Sequence, residues 1–82
     1  MQNVKDEYFL AALGKRIRSI REAKKLTQLD LGLLCNNHSE QIGRIERGQH
    51  NVTICSLLLI ANALEVSMKD LLDFDYAVQP KK

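Results

Sequence analysis

The stretch TQLDLGLLCNNHSEQIGRIERG, Thr27 to Gly48, decides how this chain folds. Thr27 precedes an apolar run and has Asp30 three residues later. Its hydroxyl can accept from the first free N–H groups of a helix while the carboxylate reaches back to the helix start. A short helix is predicted over about Gln28 to Cys35. Asn36 and Asn37 follow, and asparagine tolerates the left-handed conformation through which a chain leaves one helix and turns into another. From Ser39 to Arg47 the helical pattern resumes, with Ile42 and Ile45 facing inward, and Gly48 supplies a stop. Ser39, Glu40, Gly43, Arg44 and Arg47 fall opposite the isoleucines, so the second helix is anchored on one side and polar on the other. Two short helices joined by a tight turn in this way form a helix-turn-helix unit.

Working outward, Leu10, Leu13, Ile17 and Ile20 recur at three- and four-residue steps with basic residues between them, predicting an amphipathic helix from about Tyr8 to Lys24. Beyond Gly48, Gln49 to Val52 reads as a loop. Thr53 then caps an apolar helix carrying Ile54, Leu57, Leu58, Ala61 and Leu64. Ser67 with Asp70 repeats the capping arrangement and opens a short fifth helix through Met68, Leu71 and Leu72. The expected architecture is all-α with five helices. Residues 1–9 form an N-terminal extension leading into the first helix, 10–74 the folded domain, and 75–82 a tail that frays or contacts a partner.

A chain of 82 residues has room for one domain and a modest core. Apolar residues are 45% and charged residues 27%, a globular balance, and with aromatics at 5% the core must be built from Leu and Ile. Cys35 and Cys55 show no metal-ligand spacing and read as buried free thiols. No apolar run is long enough for a membrane span or a signal peptide, so a cytoplasmic protein is expected. The net charge is only +2, but its distribution is uneven. Lys15, Arg16, Arg18, Arg21, Lys24 and Lys25 stand against Glu22, whereas Glu65, Asp70, Asp73 and Asp75 stand against Lys69. One face suited to phosphate and another that is not would produce this asymmetry, as would ordinary solvated helix faces.

From Leu13 to Leu72 the chain resembles the Cro/C1 (XRE-like) family of phage repressors and bacterial transcriptional regulators. The markers are IREAKKLTQ at the exit of the first helix, IGRIERG in the third, and LLLIANALEVS followed by DLL. The resemblance implies a compact five-helix, lambda-repressor-like DNA-binding domain with its helix-turn-helix at helices two and three. It places Ser39, Glu40, Gln41, Gly43 and Arg44 at base- and phosphate-facing positions. It further implies a salt bridge between Arg21 and Glu46 that ties helix one to the end of helix three. Against the family pattern, Gly32 replaces a small alanine, Asn36 a turn glycine, and His38 a Ser or Thr cap, which shifts the cap to Asn37. Leu29, Leu33 and Leu34 stand where polar residues are usual; packing under the N-terminal extension is the expected reason, an exposed patch for another protein the alternative.

The major groove admits one α-helix and presents a distinct hydrogen-bonding edge for each base pair. Ser39, Glu40, Gly43 and Arg44 are the candidate base readers. Arg44 leads, because a guanidinium can donate twice to guanine. Glu40 could accept from cytosine, repel the backbone in wrong registers, or pair with Arg44 one turn away. Gln28, just after the cap of helix two, and Gln41, Arg47, Gln49, His50 and Asn51 are candidate phosphate contacts, with Arg16 or Lys24 at the edge of helix one.

Two recognition helices about 34 Å apart select a site far better than one, so a homodimer on double-stranded DNA is expected. Leu57, Leu58, Leu59 and Ile60 cannot all point inward, and Leu58, Leu59, Phe74 and Tyr76 are the expected dimer contact. The alternative is a C-terminal tail folded over the excess within one chain. Among function classes, a regulator, most simply a repressor of the restriction–modification controller or antitoxin kind, leads over a protein-interaction module of the same fold. An enzyme is disfavoured, since no spacing joins His38, His50, Cys35 or Cys55 to an orienting acid. No cofactor, metal or small-molecule ligand is expected.

Overall fold

The computed structural model describes residues 6–36 and 39–76. Over these it contains α1 (Glu7–Ala23), α2 (Gln28–Leu34), α3 (Ser39–Glu46), α4 (Ile54–Ala63) and α5 (Met68–Leu71). Side-chain caps start four of the helices. Asp6 accepts from Phe9 N–H, Thr53 from Ser56 N–H and Ser67 from Asp70 N–H. Thr27 and Asp30 form the full reciprocal box, with the Asp30 N–H donating to Oγ1 at 3.0 Å and the Thr27 N–H to the carboxylate at 2.9 Å. Those bonds hold the Asp30 carboxyl below its ordinary range. The expected cap of α3 at Asn37, and His38 beside it, lie outside the described residues.

Three helices end in one way. In α1, α3 and α4 the residue after the cap is left-handed, at Lys25 (φ 61°), Gly48 (φ 74°) and Glu65 (φ 59°). The next N–H then reaches back to Arg21, Arg44 and Ala61 respectively, satisfying a terminal carbonyl. Asn36 (φ 56°) takes the same conformation in the turn after α2.

Leu13, Ile17, Leu31, Ile42, Ile60, Leu64 and Leu71 are fully buried, and Ile45, Leu57 and Ala61 join them. α3 sits against α2 and α1, while α4 supports α2 and α5. The α1–α3 crossing depends on Gly14, where a Cβ would lie 2.3 Å from the Glu46 carbonyl oxygen and 2.6 Å from that of Ile45. α1 and α5 are tied by Arg16, whose Nε and Nη2 donate to the Asp70 carbonyl at 3.1 and 2.8 Å.

Several expectations change here. On α4, Ile54 (72% exposed) and Leu58 face solvent, as does Leu59, while Ile60 is the fully buried member of the run. At 100° per residue, positions 57, 60, 61 and 64 share a face and 55, 58 and 59 point away from it, while Ile54 is exposed in the first turn. Cys55 is therefore exposed, and only Cys35 is a buried thiol, pushed above the usual pKa by desolvation. Leu29, Leu33 and Leu34 are all exposed. The described part of the N-terminal segment packs elsewhere: Phe9 meets Phe74 with centroids 5.6 Å apart and Tyr76 edge-on at 5.2 Å. The Tyr76 hydroxyl donates to Asp6, which lowers the Asp6 pKa and pushes that of Tyr76 up to about 12. Phe74 and Tyr76, half-buried, thus contact Phe9 and Asp6 within one chain, while Leu58 and Leu59 are exposed.

Candidate nucleic-acid interface

The α2–α3 angle is fixed from beneath. Arg21 on α1 and Glu46 at the end of α3 are each 8% exposed. Arg21 Nε and Nη2 donate to the two Glu46 oxygens at 2.6 and 3.0 Å, a bidentate pair, and Nη1 donates to the Leu26 carbonyl at 2.7 Å. The carboxylate raises the Arg21 pKa above its ordinary value. Gln28 Nε2 supplies a third donor to Glu46, at 3.1 Å. One buried carboxylate therefore joins α1, the start of α2 and the end of α3. This is the expected Arg21–Glu46 bridge, with Gln28 as an added member that spacing alone could not reveal.

Above this anchor lies a polar notch lined by Gln28, Ser39, Glu40, Gly43, Arg44 and Arg47. It brings together the candidate base readers with two of the phosphate candidates. Glu40 and Arg44 are both exposed and, among the described residues, form no ion pair. The internal pairing expected as one role for Glu40 is thus not formed, and both groups are open to a ligand. Gly43 differs from expectation: it is buried, because Arg47 and Gln28 lie over it. Arg47 Nε donates to Gln49 Oε1 at 3.3 Å, so that loop residue steadies an arginine. Gln41 and His50 are half-buried and Asn51 is exposed.

Of the phosphate candidates outside the notch lining, the two on α1 and at its end are engaged elsewhere. The Arg16 guanidinium is committed to the end of α5. Lys24 borders a separate apolar groove with Leu26, Leu34, Leu59 and Ala63. A notch with two arginines, a glutamine and a serine offers many donors and one carboxylate acceptor, the set suited to phosphate oxygens and guanine edges.

The helix-turn-helix family model matches residues 17–71, which contain the whole of this arrangement. The chain is 42% identical over 62 residues to control protein C.BamHI of Bacillus amyloliquefaciens, covering 74% of this chain and 76% of that protein. It is 37% identical over 60 residues to control protein C.SmaI of Serratia marcescens, covering 73% of this chain and 71% of that one. Among solved structures, the restriction-modification controller protein C.AhdI from Aeromonas hydrophila superposes with a TM-score of 0.74 at 37% identity, over 76% of this chain and 94% of that chain. Among the described residues no helix is long and apolar enough to cross a membrane. Family match, relatives and geometry agree: the chain belongs to the helix-turn-helix family, as a transcriptional regulator of the XRE/Cro–C1 type.

Proposed function

We propose that this regulator acts mainly as a repressor, binding a pseudopalindromic operator as a homodimer with α3 of each protomer in the major groove. The observation that carries the reading is the α2–α3 notch, in which Arg44 and Glu40, without an ion pair among the described residues, stand on a helix braced by the buried Arg21–Glu46–Gln28 cluster. Arg44 and Glu40 read base edges, with Ser39 beside them. Gln28, Arg47 and the Gln49–Asn51 loop hold phosphates, and Gln41 supports them from the flank. The outward apolar face of α4, with Ile54, Leu58 and Leu59, forms the two-fold contact. Since relatives of similar length are restriction–modification control proteins, we place the regulated genes in such a system. The site of action is then the cytoplasm, at the nucleoid.

Selection of bound sites from random DNA tests this. The expected winners are two inverted half-sites whose centres lie about one helical turn, 34 Å, apart. A single non-palindromic half-site as winner, or a monomer in sedimentation at tens of micromolar with operator present, overturns the dimer. A second reading, a protein-interaction module without DNA binding, draws on the exposed Leu29, Leu33 and Leu34. It predicts no salt-dependent mobility shift with mixed-sequence DNA. Regulation predicts a shift that Arg44→Ala combined with Gln28→Ala abolishes.

A further inference from the structure

Of Gly14, Gly43 and Gly48, Gly43 is the one whose presence packing does not demand. A Cβ at Gly14 would enter the backbone of α3, and one at Gly48, itself at φ +74°, would come within 2.9 Å of the Ala11 backbone. At Gly43 the nearest atoms to a built Cβ are Arg47 Nη1 at 3.1 Å, Gln28 Oε1 at 3.4 Å and Arg47 Cζ at 3.8 Å. All are tips of flexible side chains, and none is backbone. A helix-weakening residue thus stands in the middle of α3, in a site that would accept a larger one by displacing side chains alone.

What occupies the vacated space is functional. Side chains on a helix lean toward its N-terminus, so the residue four places on lies over position 43. Arg47 follows this rule: its chain runs back across α3, its guanidinium rests on the bare turn at Gly43, and Gln49 Oε1 accepts from its Nε. Gln28 closes the other side, itself held by Glu46. The arginine at the notch is therefore laid flat, and its direction is set by the missing side chain.

We propose that Gly43 is a positioning residue for DNA binding, which seats the Arg47 guanidinium in the α2–α3 notch so that it meets a backbone phosphate. The inference rests on the DNA-binding reading above. A methyl group at position 43 stands 3.1 Å from Arg47 Nη1, so the guanidinium shifts from its seat and loses its alignment with the phosphate, while α3 itself is strengthened.

The test is a double-mutant cycle of Gly43→Ala and Arg47→Ala, read by operator affinity at several salt concentrations together with thermal unfolding. Gly43→Ala is expected to unfold at or above the wild-type Tm. It should bind the selected operator about tenfold more weakly, the order of one displaced charge-assisted hydrogen bond. The slope of log K against log salt should fall by about one per half-site. In the Arg47→Ala background, Gly43→Ala should change neither affinity nor slope. Wild-type affinity and slope for Gly43→Ala, or losses that simply add in the double variant, overturn the proposal. If the wild-type protein itself shows no salt-dependent DNA binding, the DNA-binding reading falls first and the proposal with it, an outcome separate from failure in the variant arms alone.

Discussion

Replacing Glu46 by alanine tests the structural anchor of the interface. The carboxylate accepts three hydrogen bonds, from Arg21 Nε at 2.6 Å, Arg21 Nη2 at 3.0 Å and Gln28 Nε2 at 3.1 Å. Side-chain exposure is 9% for Arg21 and 3% for Glu46, so little water can replace what is lost. Without Glu46, the guanidinium keeps only the Leu26 carbonyl, and Gln28 loses its acceptor. Removing one partner of a pair this buried costs about 3–5 kcal/mol, because a charge is left uncompensated. A domain of this size is stabilised by about 0.05–0.15 kcal/mol per residue, so the loss takes a large part of the total.

Because the cost is that of a stranded charge, it should be strongly non-additive. Arg21→Met alone strands the carboxylate and should cost a similar amount, whereas Arg21→Met with Glu46→Leu strands no charge and should recover most of the loss. Urea unfolding of the four proteins at one fixed concentration measures this, the fixed concentration being needed because the proposed dimerisation would add to apparent stability. Single variants within about 1 kcal/mol of wild type would show that the cluster is no anchor. Additive losses in the double variant would show that the singles act through lost packing.

Three other perturbations probe the frame. Gly14→Ala drives a methyl group into the Ile45 and Glu46 carbonyls, both backbone, so it should cost about 3 kcal/mol, the upper end for overpacking, in the same urea assay. Arg16→Met removes the two bonds to the Asp70 carbonyl and should cost about 1 kcal/mol while leaving operator affinity unchanged; weaker DNA binding at equal stability would return Arg16 to the phosphate contacts. The hydrogen bond to Asp6 pushes the Tyr76 pKa up to about 12, above the ordinary tyrosine value of about 10. Its contribution is therefore fully present below pH 10 and is lost as pH rises from about 10 to 12. The ultraviolet difference titration between wild type and Tyr76→Phe should place phenolate formation near pH 12, and a midpoint near 10 would show that Tyr76 does not hold Asp6.

How much of this was legible in the sequence follows from the distance over which each interaction acts. Caps at Thr27, Thr53 and Ser67 bond within three residues, so spacing alone reveals them, and Asn36 was recognisable because its own side chain suits a left-handed turn. Lys25 and Glu65 adopt the same conformation with no such preference. They are held there by the long-range packing of Leu26 and Val66 against the core, and that is absent from local chemistry. Arg16 reads as a free cation on a basic helix until its acceptor, 54 residues later in the chain, is placed beside it. The site divides likewise: the polar face of α3 follows from Ile42 and Ile45, but Gln28 as a ligand of Glu46 and Arg47 as the cover of Gly43 need the α2–α3 crossing first.

The apolar run Leu57-Leu58-Leu59-Ile60 shows where a helical pattern stops being decisive. With apolar residues all round α4, periodicity carries no phase, and either face could serve the core. The phase is chosen by neighbours: Leu71 from α5 and Leu31 from α2 join Leu57, Ile60, Ala61 and Leu64 in one cluster, and Cys35 Sγ lies 3.8 Å from the Leu59 carbonyl. Once that face is occupied, Leu58 and Leu59 point outside, and Ile54 in the first turn is exposed beside them. Charged substitution on the two faces should therefore separate folding from assembly. Leu58→Glu, exposed in the single chain, should leave the helical spectrum intact while dissociating the dimer and weakening operator binding. Ile60→Glu, at a fully buried position, should unfold the protein outright. If Leu58→Glu sediments as a dimer and binds operator like wild type, the two-fold contact lies elsewhere, and the exposed leucines of α2 become the next surface to examine.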